Sequence, residues 1–370
     1  MKPSALIVGL GLALAACNPN LTTLDPAFHP TQRGWMLVWS DDFNVPAAAP
    51  DPTKWVVAKY CGGFNNEKQC HTAGNVEVMP AGGGSTSGYL RIRAKHEPGK
   101  CDGTDAGTAA GNNEQGTTHC PPTGSGPQYD YSSARVQTRL QHVGSSPNRW
   151  QYGRIEIRAR LPQGTGTWPA FWMLPNPSIY GWPASGEIDI LEAVNLHSPA
   201  LSSDYLQSAV HACSTNPSVA DSNPSSQAVA NCNQYATARG GGAYAKASVV
   251  KPLFLTPFAG STPDVVNAFH TYSLEWSDWD MRFYLDDRLI HQFYYSSLDL
   301  QPFRAPFYLI LNLAVGGDMT QKTPPFHGDW IDGGLGPHAD LLVDWVRIYA
   351  CGPDTTAENC IYKGQGLGKQ

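Results

Sequence analysis

The chain has 370 residues, of which 41% are hydrophobic and 11% aromatic, so it can bury a sizeable core. Only 15% of the residues are charged, the formal net charge is −6, and the sequence contains no basic patch. This composition excludes nucleic acid as an expected partner.

A targeting segment is predicted at residues 1–17. Lys2 supplies a positive charge, and the apolar run over residues 5–16 is too short to cross a bilayer. The segment ends in Leu14-Ala15-Ala16-Cys17, which resembles a bacterial lipobox and implies a lipid anchor on Cys17. Asn18 resembles a signal for outer-membrane sorting, so a membrane-anchored lipoprotein is expected. An ordinary signal peptide is the alternative, because small residues before Cys17 also suit simple cleavage.

The cysteines predict a set of local disulfides. Nine cysteines are present, and removing Cys17 leaves eight that lie as four close pairs in the sequence. Disulfides are expected in an exported protein, although eight cysteines allow about 105 different pairings. The predicted pairs are Cys61 with Cys70, Cys101 with Cys120, Cys213 with Cys232, and Cys351 with Cys360. No Cys/His spacing indicates a zinc site.

One domain is predicted over residues 35–352, between a tether at 18–34 and a C-terminal tail at 353–370. The tether contains Pro19, Pro26 and Pro30 and has no hydrophobic period. Two polar stretches, at 97–128 and 214–264, interrupt the domain and are predicted to be insertion loops.

Alternating apolar and polar residues, separated by Gly and Pro, predict β-strands throughout the domain. The sequence nowhere has the pattern of a long amphipathic helix. Many short strands with tight turns favour an all-β sandwich. The predicted strands lie at 36–40, 88–94, 134–140, 154–161, 168–174, 206–213, 269–276, 280–286, 288–293, 307–315 and 341–349.

The most informative strand is Gly186–Glu192, a short β-branched run that carries three acids. Its isoleucines alternate with Glu187 and Asp189, as in a strand with one core face and one open face. Glu192 breaks this alternation, and in a regular strand it would enter the core as an unpaired carboxylate. A β-bulge near Leu191 would return Glu192 to the open face, so three carboxylates are predicted to project into one cleft.

Three neighbouring carboxylates suit retaining glycoside hydrolysis, which uses a nucleophile and an acid about 5–5.5 Å apart. Crowding of like charges separates their pKa values, so that one group stays protonated while another stays ionised. Because acids at this spacing also occur by chance, the prediction of a glycoside hydrolase also depends on the flanking sequence.

The sequence around the acids resembles glycoside hydrolase family 16, and within it the bacterial laminarinase-type endo-β-1,3-glucanases. The resemblance rests on residues 152–164, 166–174 and 182–186, followed by the bulged pattern Glu-x-Asp-x-x-Glu. It implies that Glu187 is the nucleophile, Glu192 the general acid and base, and Asp189 their electrostatic partner. It also implies a β-jelly roll of two antiparallel sheets, in which the concave sheet forms the substrate cleft.

The resemblance extends to residues that are expected to contact the sugar. Residues 65–69 are similar to an Asn-Asn-Glu-x-Gln segment beside the family's cleft, although His71 stands where the family usually has Tyr. Tryptophans on or before the catalytic strands are expected to stack on sugar rings, and His211 matches a histidine near the general acid. A structural role is the alternative for each of these candidates. The candidate substrate-binding residues are Asn66, Glu67, Arg135, Trp168, Trp172, Trp182 and His211.

A structural calcium ion is the one metal that the resemblance implies, and no cofactor is expected for catalysis. Asp344 lies on an apolar strand face and therefore needs a partner. In the family a corresponding Asp binds Ca²⁺ together with backbone carbonyls, one of which matches Gly88. Asp42 replaces the usual Glu of the family's N-terminal segment and completes the candidate set. The alternatives are that backbone N–H groups cap Asp344 or that an arginine pairs with it.

The resemblance predicts a monomeric enzyme that cleaves internal β-1,3 linkages, or mixed β-1,3/1,4 linkages, in glucans such as laminarin. An agarase- or carrageenase-like hydrolase and a transglycosylase are alternatives within the same fold. A non-catalytic glucan-binding surface protein is the alternative from another class. Related recognition proteins have lost the acids, whereas this chain keeps all three.

Overall fold

The computed structural model describes residues 34–44, 49–61, 65–80, 88–96, 131–138, 140, 148–176, 178–196, 205–214, 226–238, 246–249, 264–278, 280–294, 301–322 and 339–351. The predicted targeting segment with Cys17, the insertion at 97–128, the tail at 353–370 and nearly all of the tether lie outside these residues. In the described part of the chain, no helix has the length and apolar character needed to span a membrane.

Strands account for most of the described residues. Their bounds are β1 Trp35–Asp41, β2 Trp55–Val57, β3 Tyr60–Cys61, β4 Gln69–His71, β5 Val76–Pro80, β6 Gly88–Arg93, β7 Lys95–His96, β8 Tyr131–Ser133, β9 Arg135–Thr138, β10 Gly153–Arg160, β11 Thr167–Pro175, β12 Glu187–Val194, β13 Tyr205–Ser214, β14 Lys246–Val249, β15 His270–Trp276, β16 Asp280–Leu285, β17 Arg288–Tyr294, β18 Phe307–Val315 and β19 Asp340–Cys351. The described helices are α1 Ser226–Ala238 and α2 Asp318–Lys322, with short 3₁₀ turns at Ala73–Asn75 and Gln301–Arg304.

Two large antiparallel sheets form the predicted sandwich. The outer sheet has the strand order β17-β16-β15-β10-β19-β6-β5, and β1 also pairs with β19. The cleft sheet, which carries the three acids, has the order β14-β13-β12-β11-β18-β9-β2. A third sheet, β3-β4-β8-β7, was not predicted; it contains the parallel pair β4–β8.

The hydrophobic core lies between the two large sheets, because side chains alternate between the faces of each strand. Each sheet contributes one apolar face, and the opposite face of the cleft sheet is free to carry polar groups. Fully buried core residues include Leu90, Ile92, Ile155, Ile157, Val343 and Ile348 from the outer sheet, and Phe171, Met173, Ile188, Leu309 and Leu311 from the cleft sheet.

The insertion at 214–264 contains more regular structure than its sequence predicted. It contributes α1 and the edge strand β14, which pairs with β13. The sequence predicted a polar insertion here and did not indicate this helix. The helix is rich in Ala, Asn and Gln and lacks a broad apolar stripe. A disulfide and a few small buried residues hold it instead.

Disulfides occur where the sequence predicted them in the described residues. Cys351 is also disulfide-bonded, but its predicted partner Cys360 lies outside the described residues, as do Cys101 and Cys120. The two bonds with both partners described are Cys61–Cys70 and Cys213–Cys232.

The carboxylates predicted to bind calcium face arginine side chains. Asp344 forms an ion pair with Arg158, which is one of the alternatives that the sequence left open. Asp42 accepts hydrogen bonds from Arg347 at 2.9 and 3.2 Å. Ca²⁺ takes about six to eight oxygen ligands around one point, and these arginine-paired carboxylates do not fit such a set. The calcium ion stays a prediction from the sequence.

Gly88, the third member of the predicted calcium set, begins β6 where the backbone is tightly packed. A Cβ atom there would lie 2.2 Å from the Phe43 carbonyl oxygen and 2.6 Å from that of Met79. We expect Gly88→Ala to lower the free energy of unfolding by about 1–3 kcal/mol, because backbone atoms would have to move. Gly74→Ala is the control, since its Cβ would meet only the Thr72 hydroxyl, at 3.7 Å. Urea denaturation compares the two variants, and equal midpoints would contradict this packing.

Candidate active site

Strand β12 contains the β-bulge that the sequence predicted. Leu191 and Asp189 pair with consecutive residues of β11, so Ile190 has no partner on that strand. Ile190 and Leu191 are both buried in the core. The next residue, Glu192, returns to the open face of the cleft sheet. The extra residue thus aligns the last acid with the first two.

Glu187, Asp189 and His211 form a compact cluster on this open face. The carboxyl groups of Glu187 and Asp189 are hydrogen-bonded to each other, so one of them carries a proton. His211 Nε2 lies 2.8 Å from Asp189 Oδ2, and His211 pairs with Glu187 across β12 and β13. Within the described residues, this is also the one group with ligand atoms close enough, within 4.8 Å, to hold a metal ion.

Glu192 is oriented by hydrogen bonds to both of its carboxyl oxygens. Trp168 Nε1 donates to Oε1 at 3.0 Å. Gln207 Nε2 donates to Oε2 at 2.5 Å and lies 3.7 Å from Met319 Sδ. Two donors on neighbouring strands therefore hold the Glu192 carboxyl in one orientation, while its position on the open face leaves it within reach of a substrate.

Burial raises the pKa of all three acids. For Glu187, the Asp189 carboxyl adds to the increase and His211 opposes it. For Asp189, the neighbouring Glu192 charge adds to the increase. For Glu192, the hydrogen bond from Gln207 opposes the effect of burial. The cluster therefore keeps a proton at pH values where an exposed carboxyl is ionised, as a general acid requires.

A fourth acid, Glu67, is half-buried and lies close to Glu192 on the segment predicted to contact substrate. Burial raises the pKa of Glu67 to about 7, and the Glu192 charge adds to this increase. Gln69 Nε2 donates to Glu67 at 2.5 Å, and Glu67 forms a β-bridge with Gly316. The segment is therefore held against the turn that follows β18, next to the acid cluster.

Two other candidate substrate-binding residues are engaged within the protein. Asn66 Nδ2 donates to Asp318 Oδ1 at 2.7 Å. Arg135 lies on the cleft side of β9, but it is only 6% exposed. Its guanidinium lies 4.8 Å from the centre of the Trp172 ring and donates to the Tyr60 hydroxyl at 3.3 Å. Arg135 therefore supports the floor of the cleft.

The three candidate tryptophans differ in their exposure. Trp168 is 8% exposed, and its indole N–H donates a hydrogen bond to Glu192. Trp172 is half-buried and donates to Asn312 Oδ1 at 2.7 Å. Trp182 is 38% exposed, and its ring centre lies 5.7 Å from that of His211. Trp182 thus offers the most accessible indole face beside the acid cluster.

Two polar residues of the cleft were missed from the sequence. Gln207 shares strand parity with His211, so the alternation along β13 could have found it. Asn312 interrupts the otherwise continuous apolar strand β18, and a single polar residue there signals that one face is not core. The predicted calcium ligands lie on segments of the outer sheet and take no part in this site.

The raised pKa of Glu187 predicts that the cluster destabilises the fold as pH rises. A carboxyl with a raised folded-state pKa contributes stability below its unfolded pKa, and this contribution is lost as pH rises through the folded pKa. Glu187→Gln stays neutral at every pH, so we expect it to raise the Tm by roughly 2–4 °C at alkaline pH. Near the unfolded pKa, at about pH 4, the two proteins should melt together. Calorimetry across this range measures the effect, and a gain that is constant with pH would exclude this cause.

Two family descriptions match the chain. "XgeA-like, catalytic GH16 domain" matches residues 131–254, which include the acid cluster. "Glycosyl hydrolases family 16" matches residues 244–332. The two matches overlap and together cover more than half of the chain.

Individual proteins are also similar to this chain over most of its length. The "Beta-glucanase" of Rhodothermus marinus is 33% identical over 85% of this chain and 85% of its own length. The "Glucan endo-1,3-beta-glucosidase" of Cryptopygus antarcticus is 29% identical over 78% of this chain and 84% of its own length. The solved laminarinase from Rhodothermus marinus superposes with a TM-score of 0.54 and 31% identity, covering 85% of this chain and 97% of that one.

Proposed function

Because the chain belongs to glycoside hydrolase family 16, we infer that it is a retaining endo-hydrolase of β-1,3-glucans such as laminarin. The observation that carries this inference is the bulged strand β12, which presents Glu187, Asp189 and Glu192 on one face. The likeness to a beta-glucanase and to a laminarinase structure supports the substrate class.

We assign the chemistry to Glu187 and Glu192 in two displacements at the same carbon. In the first, Glu187 attacks the anomeric carbon and Glu192 transfers its proton to the leaving glycosidic oxygen. The bond to the leaving sugar breaks as the bond to Glu187 forms, which gives a covalent glycosyl-enzyme. In the second, Glu192 removes a proton from water, and the resulting hydroxide displaces Glu187. The two inversions retain the configuration of the sugar.

The contacts around each acid suit these roles. The hydrogen bond between the carboxyl groups of Glu187 and Asp189 raises the pKa of Glu187 and lowers that of Asp189 in the free protein. We therefore propose that the shared proton passes to Asp189 before Glu187 attacks. Trp168 and Gln207 hold Glu192 in position for proton transfer to the glycosidic oxygen. Burial keeps the pKa of Glu192 high enough for it to carry that proton before the first displacement.

The substrate contacts proposed for the cleft lie on both sides of the acids. Trp182 exposes an indole face beside His211, where the apolar C–H face of a sugar ring can stack. Glu67 and Trp168 approach Glu192 from the other side, where a carboxyl can accept hydrogen bonds from sugar hydroxyls. Contacts on both sides suit a polymer that runs through the cleft and is cut internally.

We also propose that a lipid on Cys17 anchors the exported enzyme to a membrane surface, and that the enzyme acts as a monomer. The anchor rests on the lipobox-like residues 14–17, which lie outside the described structure. The two described disulfides are consistent with an exported protein, because such bonds persist in oxidising compartments.

The two glutamates should respond differently to substitution. We expect Glu187→Ala to lower kcat on laminarin by roughly 10³-fold or more, because no other group can form the covalent intermediate. Glu192→Ala should lower kcat on laminarin by about 10²–10⁴-fold. The Glu192 variant should keep far more activity on an aryl glycoside with a good leaving group, which needs no protonation.

Steady-state kinetics on both substrates distinguish these roles. Glu77→Gln on the outer sheet is the control, because Glu77 pairs with Arg91 away from the cleft. A Glu187 variant that keeps a tenth of the laminarin activity would remove the assignment of the nucleophile.

A reducing-sugar assay on laminarin, lichenan and agarose tests the substrate class. We expect laminarin to be cleaved fastest, with a ladder of oligosaccharides from the earliest time points because internal bonds are cut. Cleavage of agarose without cleavage of laminarin would favour another hydrolase of this fold. Products longer than an oligosaccharide substrate would indicate transglycosylation, and binding without any product would indicate a recognition protein.

A further inference from the structure

Helix α1, in the insertion at 214–264, is an ordered element that takes no part in the proposed chemistry. We propose that α1 forms a wall at the His211 end of the cleft and positions Trp182 for a sugar unit of the bound glucan. This proposal rests on the proposed function. It makes Asn231 a positioning residue that sets the affinity for the glucan chain at this end of the cleft.

A disulfide joins α1 to the cleft sheet beside the active site. Cys232 on α1 is bonded to Cys213, which lies two residues after His211 on β13. Both cysteines are completely buried, and with Ala184 and Ala228 they form a small hydrophobic cluster separate from the main core. The helix is therefore packed against the loop between β11 and β12, which contains Ala184 and Trp182.

A hydrogen bond connects the helix directly to the Trp182 backbone. Asn231 Nδ2 donates to the Trp182 carbonyl oxygen at 2.7 Å. Gln227 Nε2 donates to Asn231 Oδ1 at 2.8 Å, which defines the orientation of the Asn231 amide. A Cβ atom on Gly181 would lie 2.6 Å from Asn231 Nδ2, so the helix and the loop are in close contact.

The contact from α1 reaches the substrate region through Trp182. The Trp182 indole is one of the few large hydrophobic side chains exposed among the described residues, and it borders His211. His211 in turn contacts Asp189 in the acid cluster. A glucan that extends past His211 therefore meets the indole, and the position of the Trp182 backbone decides whether the sugar can stack on it.

The wall is expected to act on binding rather than on the chemical step. The loop between β11 and β12 contains hydrogen bonds of its own near the acids. Ser185 N donates to the Gly181 carbonyl, and Gly186 N donates to the Pro183 carbonyl. These bonds hold the approach to Glu187 without α1. Removal of the contact from α1 should therefore displace the indole and leave the two glutamates in place.

The test compares Asn231→Ala with Gln234→Ala, which removes an exposed amide from the same helix. We expect Asn231→Ala to raise the KM for laminarin by about three- to tenfold, the value of one hydrogen bond, with little change in kcat. Gln234→Ala should match the wild type. In a Trp182→Ala background, Asn231→Ala should cause no further increase in KM, because both changes act through the same indole.

Three results would overturn the proposal. They are equal kinetics for the Asn231 and Gln234 variants, full additivity with Trp182→Ala, or a loss in kcat at unchanged KM. The Cys213→Ser/Cys232→Ser double variant provides a second route to release the helix, and it should raise KM in the same direction.

A binding measurement separates this proposal from the proposed function. Quenching of tryptophan fluorescence by laminari-oligosaccharides reports affinity in the Glu187→Gln background, where turnover is absent. If the wild-type enzyme cleaves laminarin but Asn231→Ala does not change oligosaccharide binding, the proposed role of α1 is refuted and the proposed function stands. A wild-type protein that does not cleave laminarin would refute the proposed function itself.

Discussion

The arrangement of the site depends on one unpaired residue, Ile190, in the ladder between β11 and β12. A regular strand could not bury Ile190 and Leu191 in succession and still present Glu192 on the open face. The bulge meets both requirements, because the core keeps its apolar side chains while the cleft gains its second glutamate. The neighbouring strands then complete the site, since Trp168 on β11 and Gln207 on β13 each bind one oxygen of that glutamate.

Catalysis and stability make opposite demands on the same carboxyl groups. Removal of the acids from water raises their pKa values, which supplies the proton for acid catalysis but disfavours their ionised forms in the folded protein. The extensive apolar interface between the two large sheets provides stability that tolerates this local cost. The open face of the cleft sheet can therefore be specialised for function, while the opposite face holds the domain together.

Features determined within one segment were predictable from the sequence, and features that join distant segments were not. The strands and the bulge follow from alternation inside residues 186–192, and the disulfides Cys61–Cys70 and Cys213–Cys232 join cysteines close in sequence. The hydrogen bond from Asn66 to Asp318 spans 252 residues, and the pair between Arg158 and Asp344 spans 186. No local pattern encodes such partners, which is why the arginine pairing and the packing of α1 required the structure.

The position of β19 in the outer sheet affects the order in which the domain can fold. β19, the last described strand, lies between β10 and β6 in the outer sheet. It also pairs with β1, and in this pair Trp35 lies opposite Cys351. During synthesis on the ribosome, the earlier strands of that sheet emerge long before the strand that joins them. Their apolar faces must stay shielded by chaperones or by transient collapse until β19 is available, and the outer sheet can be completed only then.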